Sequence, residues 1–169
     1  MIFLKINYGG EKEMRKAFFV VLIMVVILIL SSSLSAQEKN PEEVLNAFAD
    51  SLNAGDLNAT IAFFADDSVV KILFGDLFPL EFYNSSAEIQ DFVRDLIAIH
   101  FKIEIEILQM LGDIAVTRSK TWSDETIQLG IAPLEMIEIY PIRDGKFKGF
   151  MSMLTDESLT KLKNALASQ

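Results

Sequence analysis

The chain of 169 residues has no cysteine and a single histidine, His100. Without cysteine neither a disulfide nor a lipid-modified N-terminal cysteine can form, so stability must come from a packed core. A zinc site of the usual His/Cys type is excluded on ligand count. No metal and no cofactor are expected. Basic residues are also scarce: 15 Lys and Arg stand against 24 Asp and Glu, for a net charge of −9. Such an acidic surface repels phosphate backbones and anionic membranes, which argues against nucleic-acid binding.

Only one long apolar run occurs, at residues 17–30, preceded by Arg15 and Lys16 and followed by Ser31-Ser32-Ser33-Leu34-Ser35-Ala36. A charged, then apolar, then small-residue order is that of a secretory signal, with cleavage expected near Ser35 or Ala36. As a helix the run would be about 21 Å long, short of the roughly 30 Å hydrocarbon core. The alternative is an uncleaved segment kept as a membrane anchor. Such a signal starts naturally at Met14. The preceding Gly9-Gly10-Glu11-Lys12-Glu13 needs purine-rich codons like those of a prokaryotic ribosome-binding site, so residues 1–13 are expected to be a non-native or disordered extension. The organisation expected is extension 1–13, signal peptide 14–36 and one domain 37–169, periplasmic or secreted. Removing residues 1–36 takes away four basic and two acidic residues, leaving 11 against 22 and a charge of −11.

Within the domain, Asn40-Pro41-Glu42-Glu43 combines an N-cap, a proline at the first helical position and an N3 glutamate. Val44, Leu45, Phe48 and Leu52 recur on one face of the predicted helix, and Gly55 stops it. Asp56 caps a second short helix to about Ala65. Residues 68–74 suit a strand, a weaker extended piece follows at 80–83, and Ser85-Ser86-Ala87-Glu88 is a capping box for a third helix bearing Ile89, Phe92, Val93, Leu96 and Ile97. From Phe101 the period becomes two. Turn signals at Leu111-Gly112, residues 123–126 and Asp144-Gly145 predict a four-stranded meander at 101–110, 113–123, 126–142 and 146–154. Thr155 caps a last helix with Leu159, Leu162 and Leu166.

Uninterrupted pairing through these turns predicts the two sheet faces. One holds Ile103, Ile105, Ile107, Val116, Arg118, Lys120, Trp122, Leu129, Ile131, Glu135, Ile137, Ile139, Phe150, Ser152 and Leu154, and is expected to pack on the helices. The other holds Thr117, Ser119 and Thr121 with an apolar end of Leu134, Met136, Tyr140, Phe147, Met151 and Met153. On a monomer that end would be a large exposed patch, so a homodimer through this sheet face is expected, or the last helix laid across it.

The order helix, Leu52-Asn53-Ala54-Gly55-Asp56 break, helix, Phe64-Ala65-Asp66-Asp67 strand, capped helix and meander closing on Asp144-Gly145-Lys146 resembles the nuclear transport factor 2-like superfamily, in its SnoaL-like and ketosteroid-isomerase-like branches. The resemblance spans about residues 41–153. It implies an α+β cone: a curved antiparallel sheet packed on three N-terminal helices, plus a C-terminal helix, around a pocket for a small, mostly apolar molecule. Members include isomerases, cyclases, hydrolases, dehydratases and noncatalytic binding domains, so the fold leaves function open. The isomerase's tyrosine falls on Phe48 and its base carboxylate near Ile72, neither able to handle a proton, which argues against steroid isomerisation and leaves both as pocket-lining candidates. Its acid has a counterpart in Glu135, in Ala132-Pro133-Leu134-Glu135.

On the predicted apolar face Glu135 would be costly to ionise and could serve as a general acid; the alternative is an edge position reaching water. Arg118 and Lys120, beside Trp122, could offer cationic donors to an anionic or carbonyl-bearing ligand, or snorkel outward. His100 could be a general base, or a dipole cap at a helix end. Tyr83 is a further lining hydroxyl. Asp66 and Asp67 belong to a corner, since neighbours on extended chain point to opposite faces. The function expected is an exported domain binding a small apolar or carbonyl-bearing ligand. One alternative is a SnoaL-like isomerase, cyclase or hydrolase using Glu135 with His100 or Arg118. Another is a structural dimerisation module, whose pocket would be plugged by its own Phe and Met side chains.

Overall fold

The computed structural model describes residues 40–168, so the extension and the expected signal lie outside the described residues. Helix α1 (Pro41–Ala54) starts where Asn40 Oδ1 accepts the Glu42 amide at 3.2 Å and stops at Gly55, whose φ of 74° is the left-handed conformation glycine adopts freely. Asp56 caps α2 (Leu57–Ile61) by accepting the Ala59 amide at 2.9 Å. Strands β1 (Phe64–Leu73) and β2 (Glu81–Tyr83) precede α3 (Ser86–Ala98), capped by Ser85. The meander is β3 (Lys102–Leu111), β4 (Ile114–Trp122), β5 (Leu134–Arg143) and β6 (Lys146–Leu154), and Thr155 caps the closing α5 (Asp156–Ala167).

These strands form one sheet in the order β2-β1-β6-β5-β4-β3. It is mixed, because β1 runs parallel to β6 while the other neighbours are antiparallel. Apolar residues of α1 and α3 pack onto its inner face, where Phe48 meets Phe147 and Phe64 edge to face at centroid distances of 5.0 and 6.0 Å.

Three expectations are corrected. The stretch expected to begin a strand at 126 instead holds a short helix, α4 (Asp124–Gln128), because Ser123 and Thr126 form a reciprocal capping box. Leu129 and Ile131 therefore precede the strand. Second, β3 carries one extra residue, Leu108, between the pairs Ile107↔Thr117 and Gln109↔Val116. A bulge of one residue turns every later side chain to the opposite face. Ile103, Ile105 and Ile107 thus share the inner face with Thr121, Ser119 and Thr117, while Arg118 and Lys120 face outward. Across β5 the inner residues are Leu134, Met136, Glu138, Tyr140 and Ile142, and Glu135, Ile137 and Ile139 lie outside. A second bulge, on β6 between the pairs Ile139↔Met151 and Ile142↔Phe147, returns Phe150, Ser152 and Leu154 to the inner face. Third, the patch that called for a homodimer is largely internal: Leu134, Met136, Tyr140 and Phe147 are buried in the domain.

The Asn53 of the LNAGD break has a structural task. Its side-chain amide donates to the Ile103 carbonyl and its carbonyl accepts the Ile103 amide, both at 2.8 Å, so it stands in for a further strand on the open edge of β3. Asp66 and Asp67 sit in an irregular stretch of β1 between the pairs Phe64↔Phe147 and Val69↔Gly149, exposed to solvent. Replacing Asn53 with Ala removes two hydrogen bonds and orphans two backbone groups, and is expected to lower unfolding free energy by about 2 kcal/mol in urea titrations.

Candidate functional site

The inner face of the sheet is longer than α1 and α3 cover. Beyond the core, near α5, it encloses a cavity of about 480 Å³. Leu162 and Leu166 of α5 form part of its wall. That helix is held in place at several points. The Thr155 amide donates to the Glu135 carbonyl at 3.0 Å, the Glu135 amide donates to Ser158 Oγ at 2.7 Å, and Lys163 pairs with Asp76 at 2.6 Å. Gly75 allows the β1–β2 turn to approach it: with φ of 64°, an added Cβ there would lie 2.7 Å from Leu159 Cδ2. Exposed Phe78, Glu81, Asp95 and Glu125 mark the mouth, and Phe48, Tyr140, Ile72 and Phe150 line the deeper walls.

At the floor, on the central strand β5, lies Glu138. It is 2% exposed. Tyr140 donates its hydroxyl to Glu138 Oε2 at 2.9 Å, and Ser152 Oγ donates to Oε1 at 3.3 Å. The Thr117 and Ser119 hydroxyls, also fully buried, lie near enough to favour the carboxylate, yet neither completes a hydrogen bond of regular geometry. Every nearby donor is neutral. Burial dominates and pushes the Glu138 carboxyl from its usual 4.5 up to about 7, against the opposing pull of the Tyr140 and Ser152 hydrogen bonds and of the nearby Ser119 and Thr117 hydroxyls. Burial, with the Glu138 charge beside it, also holds the Tyr140 phenol well above its ordinary value. Tyr140 therefore stays a donor at neutral pH.

The residues singled out from sequence divide in two. Phe48, Ile72, Tyr83 and Trp122 all line the cavity. Tyr83 donates to Glu81 Oε2 at 3.0 Å, and burial with that carboxylate pushes its phenol up to about 12. Glu135, Arg118, Lys120 and His100 do not line it. Glu135 lies across from Lys120 on the outer face. His100, at a φ of 50° after α3, places Nδ1 2.7 Å from Asp124 Oδ2 on the exposed surface. Among the described residues, no group of three or more His, Cys, Asp or Glu is placed to hold a metal ion. Uninterrupted pairing would turn Glu138 outward; the β3 bulge turns it in. The visible signal was the alternation in β4, where small hydroxyl residues at Thr117, Ser119 and Thr121 alternate with charged Arg118 and Lys120.

A helix-lined cone with a polar group at its floor has a match at the level of sequence: the family model described as "SnoaL-like domain" aligns with residues 45–150. The chain belongs to the SnoaL-like family. No curated protein matches it in sequence. Solved structures of similar fold include an NTF2-like protein of unknown function from Cytophaga hutchinsonii, at 10% identity and TM-score 0.56, covering 74% of this chain and 98% of that one. IdmH, a putative polyketide cyclase from Streptomyces antibioticus, matches at 18% identity and TM-score 0.56, covering 73% and 99%. The epoxide hydrolase/cyclase-like enzyme SalBIII, of pyran ring formation in salinomycin, matches at 12% identity and TM-score 0.56, covering 72% and 95%. At these identities the likeness is one of fold.

The raised carboxyl gives this SnoaL-like domain a signed pH dependence. Between about 4.5 and about 7 the folded state keeps a proton on Glu138 that the unfolded state has released, so stability falls as pH rises through that window and levels off above it. Glu138→Gln, neutral throughout, is expected to remove that part of the slope, which across the window amounts to on the order of 3 kcal/mol in the unaltered protein. Thermal unfolding of both proteins across the window is the check.

Proposed function

We propose that this SnoaL-like domain binds a small, largely apolar molecule in the cavity and that Glu138 moves a proton to or from it. The observation that carries this is the placement of Glu138: a buried carboxyl at the floor of a cavity whose deeper walls are largely apolar, with its affinity for a proton tuned near neutrality. Three features support the assignment. A volume of about 480 Å³ is in the range of ligand pockets, whereas a structural module would be expected to fill that space with its own side chains. The Tyr140 and Ser152 hydroxyls fix the carboxyl's orientation. Glu138 itself is all but closed to solvent, so a transferred proton is exchanged with the bound molecule rather than with bulk water. Two of the similar folds are described as cyclases or cyclase-like. A single acid–base carboxyl in an apolar cavity suits ring chemistry of that kind here.

As part of the same proposal, the domain works outside the cytoplasm after cleavage near Ser35 or Ala36. A mature N-terminus at residue 36 or 37, found by mass spectrometry of the exported protein, supports this; a chain retaining residues 17–30 in the membrane contradicts it.

Nitrobenzisoxazole, a neutral aromatic probe for proton abstraction, tests the chemistry. Glu138 takes the ring C–H proton, the N–O bond breaks, and a coloured cyano-nitrophenolate leaves. The rate is expected to rise with pH and level off above about 7, as Glu138 ionises. Glu138→Gln is expected to lower it about a hundredfold or more. A rate that does not respond to Glu138→Gln would remove this role.

A further inference from the structure

The charge lining the cavity is all of one sign. Glu81, Asp95 and Glu125 stand at its mouth and Glu138 at its floor, and among the described residues no lysine, arginine or histidine lines it. Arg118 and Lys120, which could have reversed this, project from the other face of the sheet. Between mouth and floor the walls are strongly aromatic, with Phe92 and Tyr83 packed at a centroid distance of 4.8 Å and Phe150 stacked on Tyr140 at 4.9 Å. Behind the floor the buried Thr117 and Ser119 hydroxyls have no hydrogen-bond partner. Four hydroxyl groups thus gather around Glu138, and none brings the full positive charge that a buried carboxylate needs to offset its lost hydration.

We propose that the ligand brings that charge: the cavity takes an apolar amine in its protonated form, with the ammonium group hydrogen-bonded to Glu138 and the apolar body against the aromatic walls. The inference rests on the cavity being a ligand site and names the class of molecule it accepts. An ammonium donor gives Glu138 a charge-assisted hydrogen bond, about twice as strong as a neutral one. The ring faces of the walls attract the same charge. At the mouth, Glu81, Asp95 and Glu125 draw a cation inward and repel a carboxylate. An alcohol of the same shape fills the walls equally well and lacks the charge. A carboxylate meets like charge at the mouth and again at the floor.

Isothermal titration of the full chain with phenylpropylamine, phenylpropanol and phenylpropionate at neutral pH tests the inference. The amine is expected to bind about tenfold or more tightly than the alcohol, the scale of one hydrogen bond to a charged group, and the carboxylate most weakly. In Glu138→Gln the amine's advantage over the alcohol is expected to shrink to about twofold, what the walls and mouth alone supply. The comparison among the three probes in the unaltered protein decides the matter even if the variant does not fold. Alcohol binding equal to or tighter than amine binding overturns the inference and leaves the cavity a ligand site for neutral molecules. Failure of all three to bind overturns the ligand-site assignment as well.

Discussion

One residue in excess on strand β3, Leu108, governs which side chains of the central strands meet the interior. Side chains alternate along a strand with a period of two, so a bulge of one residue has only two possible outcomes for everything beyond it. Here it turns Thr117, Ser119 and Thr121 inward with Glu138, and turns Arg118, Lys120 and Glu135 out. A second bulge between β5 and β6 keeps Ser152 in line with Glu138. Without the pair of bulges, the inner wall would carry two cations and the carboxyl of Glu135; with them it carries hydroxyls and one carboxyl. The chemistry of the cavity thus follows from backbone register before any side chain adjusts.

That register places the largest polar cost in the domain where the packing is least complete. A carboxyl held away from water with neutral donors around it is expensive to ionise, and the hydroxyls of Tyr140 and Ser152 offset that cost only in part. A core designed only for stability would hold an apolar side chain at that point, as exchange of buried charge for hydrophobic packing is often neutral or favourable. Glu138 sits instead at the edge of an unfilled space, beneath a helix fastened by Lys163, Ser158 and Thr155. Stability is given up at the position where a proton can be exchanged, while Phe48, Phe64 and Phe147 supply the close packing next to it.

Much of the fold was legible because its signals are local. Asn40, Asp56, Ser85 and Thr155 each cap the helix their sequence context announces, and Gly55 ends α1 in the left-handed conformation. Such contacts span two to four residues, so sequence order suffices to read them. Phe48 and Ile72, placed by family resemblance, do line the cavity, whereas Trp122 reaches its wall even though the sheet face it was assigned with Arg118 and Lys120 is reversed. The catalytic candidate was not legible by the same means. A bulge leaves little mark on composition, and the alternating isoleucines of β3 identify that strand's own face without saying how β4 pairs with it. Ile137 and Ile139 misled in the same direction, being apolar yet half-buried on the outer face. The capping box at Ser123 was also hidden, since its Thr126 replaces the usual glutamate or glutamine.

Family membership and shared fold leave the reaction open, so the proposed chemistry depends on the electrostatic state of one side chain. Carbon NMR of the Glu138 side-chain carboxyl, followed as a function of pH in the ligand-free protein and assigned by its loss in Glu138→Gln, reads that state directly. A carboxyl buried at the cavity floor titrates with a midpoint near 7. A midpoint at the ordinary value near 4.5 would contradict that placement, since it would put the carboxyl in water rather than at the floor of an apolar cavity.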